Sequence, residues 1–237
     1  ASIHAPVGHA VRPEPLARDW RMTHEFVHVG TPGMVRRHDW LGEGLATYLE
    51  PLARVARGKI DERELWGDLV HSLHQGQPQP GDEGLDHTPT WGRRYWGGAL
   101  FCLLADVEAH RRTHNQRSLV DAIRAIHAAG GTVSSRWTMQ RFIEVGDRAI
   151  GAPVLAELYA EHADKPVHVD LDALFRDLGV AAGPNKTAVF DDGAPLADVR
   201  RAIDVSARTD ARTSLHPSPR SGGGVTDSSG SVRSSSR

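Results

Sequence analysis

The sequence predicts a mainly α-helical domain, on the evidence of apolar spacing and of residues that start and end helices. Two sets of apolar residues recur at the i, i+3, i+4 and i+7 spacing of one helical face. They are Leu100, Leu103, Leu104 and Val107 in one segment, and Leu171, Leu174, Phe175 and Leu178 in another. Ser118 followed by Asp121 is typical of a helix start, and Gly130-Gly131 is typical of a helix end.

Start and stop signals place the elements in order along the chain. A helix is expected over residues 14–29, a break at 30–33, a second helix over 40–56 and a third from Asp61 to Gln75. The later elements follow in chain order: a helix after Tyr95, a helix begun by Ser118, helices at about 138–150 and 152–163, a short helix capped by Asp170, a strand from Thr187 to Phe190, and a last helix from Pro195 to Ile203.

Both ends of the chain differ from this helical middle. Residues 1–11 are strand-like and predict a short N-terminal edge strand. From residue 205 onward the Ser-, Gly- and Arg-rich sequence has few apolar residues to bury, so a disordered tail is expected over 205–237. We therefore expect one domain over residues 1–204, with a helical lobe over 14–180.

Composition limits the class of protein. The chain has 237 residues, of which 39% are hydrophobic, enough for one sizeable core. Its net charge of −2 argues against nucleic acid as a partner, and no stretch approaches the about 18 apolar residues of a membrane span. Cys102 is the only cysteine, so no intramolecular disulfide can form, and its apolar neighbours predict a small buried side chain.

The segment His24-Glu25-Phe26-Val27-His28 has the residue types and spacing of a metal site. On a helix, His24 and His28 are one turn apart and fall about 40° apart on one face, so both imidazoles can reach one ion. Glu25 lies beside that pair, where its carboxylate points toward a water at an open coordination position. That is the position of a general base.

A third ligand candidate follows within the next helix. Glu43 lies 15 positions after His28, behind the helix-breaking run Gly30-Thr31-Pro32-Gly33. If the chain turns back there and a second helix starts near Trp40, a carboxylate in its first turn can meet the two histidines. The result is a His₂Glu site for one Zn²⁺ ion with a coordination position left open.

These residues also carry a family resemblance. The segments THEFVH and WLGEGLATYLE resemble the gluzincin metallopeptidases, in particular the aminopeptidase N-like and glycyl-aminopeptidase groups. The resemblance implies a zincin-like helical catalytic domain, a peptide substrate, one Zn²⁺ bound by His24, His28 and Glu43, and Glu25 as general base. The 14 residues between His28 and Glu43 form a shorter spacer than is typical of the aminopeptidase N-like enzymes.

A second match concerns Tyr95. The run Arg94-Tyr95-Trp96-Gly97-Gly98 resembles the Tyr-x-Lys-Gly motif of the same family, whose tyrosine stabilises the oxyanion of the tetrahedral intermediate. A neutral phenol is a suitable donor to developing negative charge. Gly97 stands where the family has lysine. The alternative is that Tyr95 is an ordinary aromatic residue at a helix start.

Three further residues are weaker candidates. Glu50 lies seven residues after Glu43, about 20° away on the same helical face, and is a candidate hydrogen-bond acceptor for a ligand imidazole. The alternative is a solvated glutamate near the end of the helix. His38 is close enough in sequence to contact substrate, and Arg93 is expected at the surface.

Two functions from different classes remain open. The first is zinc-dependent peptide-bond hydrolysis, of aminopeptidase rather than endopeptidase type on the resemblance alone. The second is a non-catalytic zinc-binding or peptide-binding helical module derived from such a peptidase. The altered Tyr95 motif favours the second, as does the apparent lack of the β-rich region that precedes HExxH in the family, of which residues 1–11 resemble the last strand.

Overall fold

Helices make up most of the protein. The computed structural model describes residues 20–88 and 90–213, and the predicted mainly α-helical class is confirmed in them. The helices of these residues are α1 (Trp20–Gly30), α2 (Asp39–Ala56), α3 (Glu62–Ser72), α4 (Gly98–Arg112), α5 (Leu119–Ala128), α6 (Met139–Ile150), α7 (Val154–His162), α8 (Leu171–Leu178) and α9 (Ala197–Thr213). The strand expected at 1–11 and the part of the expected tail after Thr213 lie outside the described residues.

Shorter elements connect these helices. A π-helical turn, Arg93–Gly97, runs directly into α4, and 3₁₀ turns lie at Arg36–His38, Leu73–Gly76, Leu85–His87 and Pro184–Lys186. Strands β1 (Val180–Ala182) and β2 (Ala188–Phe190) form a two-stranded antiparallel sheet in which Val180 pairs with Phe190. The predicted strand from Thr187 to Phe190 contains β2. Its partner β1 was not predicted, because two of its three residues are alanines, which have low strand propensity.

Side-chain caps explain where several helices begin. Ser118 and Asp121 form the expected reciprocal capping box: the Ser118 hydroxyl accepts from the Asp121 amide, and the Asp121 carboxylate accepts from the Ser118 amide. Asp170 caps α8 as predicted, by accepting from the Ala173 amide at 2.9 Å. Gly179 ends that helix with φ = 68°, a left-handed conformation that favours glycine.

The core is built around α2, which contacts α1 on one side and α4 and α9 on the other. Its buried side chains include Trp40, Leu45 and Tyr48. Cys102 on α4 is only 1% exposed, as expected of a small core hydrophobe. Because α2 carries Glu43 and is held on two sides, the candidate site has a rigid wall.

The end of the last helix, α9, differs from the boundary predicted from the sequence. The sequence places the end of this helix at Ile203 and a disordered tail from residue 205, but α9 continues to Thr213. Ile203 is buried, and Asp204 accepts a hydrogen bond from the buried Trp66 indole at 2.9 Å. A helix anchored at one end adds a hydrogen bond for each further residue, so a polar sequence can prolong it without apolar burial.

The longest helices carry charges along their length. The 18-residue α2 includes Glu43, Glu50 and Arg54. The 17-residue α9 has Asp198 in its first turn. No helix in residues 20–88 and 90–213 is long and apolar enough to cross a membrane.

Candidate metal centre

The first two helices bring together the three residues singled out as metal ligands. His24 and His28 lie one turn apart on α1, with their ring centroids 5.0 Å apart, and Glu43 lies in the second turn of α2. One nitrogen of each imidazole and one oxygen of the carboxylate all lie within 4.8 Å of one another. The predicted convergence of these donor atoms is therefore present.

A short connection between α1 and α2 makes this convergence possible. The chain leaves α1 at Thr31, which is buried. The Thr31 hydroxyl donates to the Val27 carbonyl of α1 at 3.1 Å. Gly33 then pairs with a distant segment: its amide donates to the Ser135 carbonyl at 2.9 Å, and its carbonyl accepts from the Trp137 amide at 3.0 Å. The 14-residue spacer is thus fixed at its fifth residue, Gly33, and α2 starts beside α1.

The distances within the cluster suit a zinc ion. Glu43 Oε2 lies 3.4 Å from His24 Nε2 and 3.4 Å from His28 Nε2. Two atoms that bind one zinc ion at ~2.0–2.1 Å with tetrahedral angles lie about 3.3–3.4 Å apart. Two imidazoles with one carboxylate are also a ligand set found in catalytic zinc sites. The residues present therefore fit the metal in their chemistry and in the two spacings that involve Glu43.

The charges of the cluster favour an anionic Glu43. Burial acts to raise the pKa of Glu43, but hydrogen bonds with His24, His28 and Tyr95 outweigh it and lower the pKa to about 2. Burial acts to lower the pKa of His28, and the adjacent Glu43 carboxylate raises it overall. Glu43 is therefore ionised at neutral pH, which is the state in which a carboxylate binds a cation.

Tyr95 lies beside the same cluster. Its ring stacks on His24, with centroids 6.1 Å apart, and on Trp91, with centroids 5.0 Å apart. Its hydroxyl donates to the Glu43 carboxylate, and burial followed by the charge of Glu43 raises its pKa. Tyr95 therefore remains a neutral hydrogen-bond donor beside the candidate ligands.

The approach of α2 to the start of α4 depends on two glycines. A Cβ atom added to Gly44 would lie 2.3 Å from the carbonyl carbon of Gly98, and one added to Gly98 would lie 2.2 Å from the Trp40 carbonyl oxygen. No side chain fits at either position. Because Gly44 follows Glu43 and Gly98 follows the Tyr95 turn, this contact sets the position of Glu43 relative to Tyr95.

Contacts with Gly76 and Asp82 hold the π-helical turn in place. Gly76 lies so close that an added Cβ atom would be 2.4 Å from the Gly97 nitrogen. Arg93 is 3% exposed and donates to Asp82 Oδ2 at 3.1 Å and to the Gly76 carbonyl at 2.6 Å. The expectation of a surface arginine at 93 was therefore wrong, because its partners lie 11 and 17 residues away and leave no local sequence pattern.

Gly97, which stands where the resembled motif has lysine, has little room for a side chain. A Cβ atom there would lie 3.1 Å from both Arg93 Nη1 and the Gly76 carbonyl oxygen. The buried arginine thus occupies the space that a side chain at 97 needs. The glycine at position 97, where the resembled motif has lysine, therefore goes together with the burial of the Arg93 side chain beside it.

Two cavities meet at the candidate metal centre, and His24, Glu25 and Tyr95 line both. The polar cavity, of about 450 Å³, is also lined by His28, Glu43, Asp39, His38, Gly42, Thr31, Pro32, Gly33, Met34 and Val133. The aromatic cavity, of about 600 Å³, is also lined by Trp91, Trp96, Trp20, Ile60, Leu65, Pro51, Thr47, Glu50, Arg54, Arg21, Glu64 and Asp68. Glu25 is exposed between them, where a general base can reach a ligand on either side.

Glu50 occupies a different position from the one expected. Its carboxylate accepts from Arg54 Nη1 at 3.0 Å, and within the described residues it has no hydrogen bond to either ligand imidazole. Burial raises the pKa of Glu50 to about 7, against the opposing charge of Arg54. It lies on the wall of the aromatic cavity, and the i, i+4 spacing of Glu50 and Arg54 is the sequence signal for this pair.

His38 belongs to a buried polar network at the edge of the polar cavity. Its Nε2 atom lies 3.1 Å from Asp86 Oδ2 and 3.3 Å from the Tyr159 hydroxyl, and Asp86 also accepts from the Trp40 indole at 2.8 Å. Tyr159 donates to Asp86 at 2.6 Å. Desolvation lowers the pKa of His38, although Asp86 opposes the effect. These partners lie far apart in sequence, so sequence reasoning missed the network.

The fold and the site define a mainly helical protein with a His₂Glu arrangement at the junction of two cavities. No protein-family model, curated protein or solved structure matches this chain. The resemblance to gluzincin peptidases therefore depends on the motif residues alone.

Proposed function

We propose that this protein is a zinc-dependent peptidase in which His24, His28 and Glu43 hold one Zn²⁺ ion. The observation that carries the proposal is the convergence of the two imidazole nitrogens and the carboxylate oxygen beside Glu25 and Tyr95. A bound zinc ion supplies Lewis-acid chemistry, which polarises a carbonyl group and makes water easier to deprotonate.

The protein groups have separate tasks in this proposal. Glu25 accepts a proton at its carboxylate from the attacking water and returns that proton to the leaving amine. The Tyr95 hydroxyl turns from Glu43 to donate to the carbonyl oxygen as negative charge develops on it. Its high pKa supports this task, because the phenol keeps its proton throughout the neutral range.

An aminopeptidase type is the more specific part of the proposal. Enzymes of that type need acidic groups that hold the free amine of the substrate. Asp39 lines the polar cavity and is the carboxylate there with neither of the other two proposed tasks, so it is the candidate for holding that amine. The test compares a free-amine peptide with its N-acetylated form. Much faster cleavage of the free amine supports an aminopeptidase, and equal cleavage of both forms refutes it.

The test of catalysis uses Glu25→Gln in the zinc-loaded full chain. We expect the variant to keep its zinc and to lose peptide hydrolysis by roughly 10²–10⁴-fold, because the amide cannot accept the proton. Glu161→Gln is the matched control, since Glu161 is exposed and lies outside both cavities. Zinc binding without hydrolysis in the wild type, and no functional difference in Glu25→Gln, would instead support the non-catalytic module.

A further inference from the structure

The aromatic cavity has a wall of rings that leads to the candidate metal centre. Trp91 is 61% exposed, an unusual position for the largest apolar side chain, and it stacks on Tyr95 at 5.0 Å. Tyr95 in turn stacks on His24 at 6.1 Å. The series of three rings therefore runs from solvent to one of the candidate ligands.

The remaining walls of the cavity are also largely apolar. Trp96 and Ile60 are half-buried, and Leu65 and Pro51 are buried behind them. The volume of about 600 Å³ exceeds that of any single side chain. An aromatic ring in this cavity would cover the exposed face of Trp91 and extend the stacked series, and both effects favour binding.

Four of the charged groups of the cavity have partners within the protein, while Glu25 and Asp68 add two carboxylates to its lining. Glu50 and Arg54 form an ion pair at 3.0 Å, and Glu64 accepts from the Asp61 amide at 3.0 Å. Arg21 lies over the Trp20 ring, 5.6 Å from its centroid. A charged ligand side chain would compete with the four paired groups and would lose its own hydration in a cavity whose wall is largely apolar, whereas a neutral ring would do neither.

We propose that the aromatic cavity binds a large aromatic side chain, that of phenylalanine or tyrosine, from a peptide that lies across the candidate metal centre. The inference deepens the proposed function, since it names the class of peptide that a peptidase of this geometry prefers. The binding itself needs only the cavity, so it can be measured without turnover.

The experiment measures peptide affinity by calorimetry, with zinc-loaded Glu25→Gln protein of full length so that the peptides stay intact. The probes are Ala-Ala-Xaa-Ala-Ala peptides in which Xaa is Phe, Gly, Arg or Glu. We expect the Phe peptide to bind roughly 10–100-fold more tightly than the Gly peptide. The Arg and Glu peptides are expected to bind more weakly than the Phe peptide.

Variants of the cavity decide whether Trp91 is responsible. Adding Trp91→Ala should reduce the preference for Phe over Gly to about 2-fold or less, and Trp91→Phe should retain most of it. Phe26→Ala is the matched control, because Phe26 is 60% exposed and lines neither cavity. Trp91 is largely exposed, so its replacement should leave the helical circular dichroism unchanged.

The possible results separate this inference from the proposed function. Equal affinity for the Phe and Gly peptides, tighter binding of the Arg peptide, or an unchanged preference in Trp91→Ala overturns the aromatic subsite. If the wild-type protein cleaves no peptide but the Trp91-dependent preference is present, the subsite stands and the peptidase proposal fails. If it cleaves peptides and the preference is absent, only the subsite fails.

Discussion

Glu43 and Glu50 lie seven residues apart on one face of α2, yet the protein shifts their pKa values in opposite directions. The pKa of Glu43 is lowered to about 2, and that of Glu50 is raised to about 7. Burial acts to raise both values, so burial does not explain the difference. Glu43 meets two imidazoles and a phenol, whereas Glu50 meets Arg54.

The difference shows how one helix serves two purposes. Glu43 is a preformed anion that two histidines already approach, which is what a cation needs from a carboxylate ligand. Glu50 contacts Arg54 at 3.0 Å in the wall of the neighbouring cavity. The two carboxylates therefore differ because of their partners: α1 and the Tyr95 turn contact Glu43, and Arg54 contacts Glu50.

The largest expected effect separates the two glutamates directly. Glu43→Gln should weaken zinc binding by on the order of 10³-fold or more, because it removes a charged ligand. Glu50→Gln should change zinc affinity by no more than about 10-fold, because Glu50 binds Arg54 and not a ligand histidine. Competition with a zinc-binding dye measures both. Similar losses in the two variants would show that the proposed difference between them is wrong.

Removal of the phenol of Tyr95 tests one of the donors that distinguish Glu43. Tyr95→Phe should lower kcat for peptide hydrolysis by about 10²-fold with zinc content unchanged, because a donor to the developing oxyanion is lost. Tyr48→Phe is the matched control, since the Tyr48 phenol donates to the buried Asp106 at 2.8 Å and lines neither cavity. Steady-state kinetics with metal analysis gives the result, and an unchanged kcat in Tyr95→Phe rejects the role of Tyr95.

The glycine contact behind Glu43 can be tested with a control on the same helix. Gly44→Ala should reduce the free energy of unfolding by at least ~2 kcal/mol, because its Cβ would lie 2.3 Å from the Gly98 backbone. A Cβ atom at Gly42 would have no neighbour within 4 Å. Gly42→Ala should therefore raise the free energy of unfolding by about 0.5–1 kcal/mol, because alanine has the higher helix propensity. Denaturant unfolding measures both, and equal values would contradict the close approach of α2 and α4.

Asp204 offers a test away from the candidate metal centre, because it is a buried carboxylate that lines neither of the two cavities. Burial raises its pKa to about 6, while the Trp66 indole donates to it. A raised pKa means that the folded state holds the proton more tightly than the unfolded state, so stability should fall as pH rises from about 4 to about 6.

Asp204→Asn removes that titration. Its stability should fall less than that of the wild type between pH 4 and pH 6, because only the raised pKa of Glu50 and of similar groups still contributes, and at pH 7 it should exceed the wild type by ~2–3 kcal/mol. Thermal unfolding across this pH range makes the comparison. A wild-type protein whose stability stays level from pH 4 to pH 6 would show that burial does not have the effect assigned to it, for Asp204 or for Glu50.

Local patterns in the sequence predicted much of the fold and the approach of the ligands. Helical spacing places His24 and His28 on one face, and the helix break before Trp40 returns Glu43 to them. Caps at Ser118 and Asp170 were also predictable, because their partners are three residues away. Each of these features depends on neighbours in the chain.

Contacts between distant residues escaped the sequence reasoning. The close approach of Gly44 to Gly98 and the burial of Arg93 join segments that show no shared pattern. The His38 network likewise depends on Asp86 and Tyr159, which lie 48 and 121 residues away. These contacts position Tyr95 and shape the polar cavity, so the sequence predicted the candidate ligands better than the cavities around them.

The central claim is that His24, His28 and Glu43 form a zinc site. The most direct measurement is zinc content together with X-ray absorption spectroscopy of the full-length protein after zinc loading and dialysis. We predict about one zinc ion per chain, bound by nitrogen and oxygen atoms at ~2.0–2.1 Å, with zinc lost in His24→Ala, His28→Ala and Glu43→Gln. A wild-type protein that retains no zinc, or variants that retain as much as the wild type, would contradict the claim.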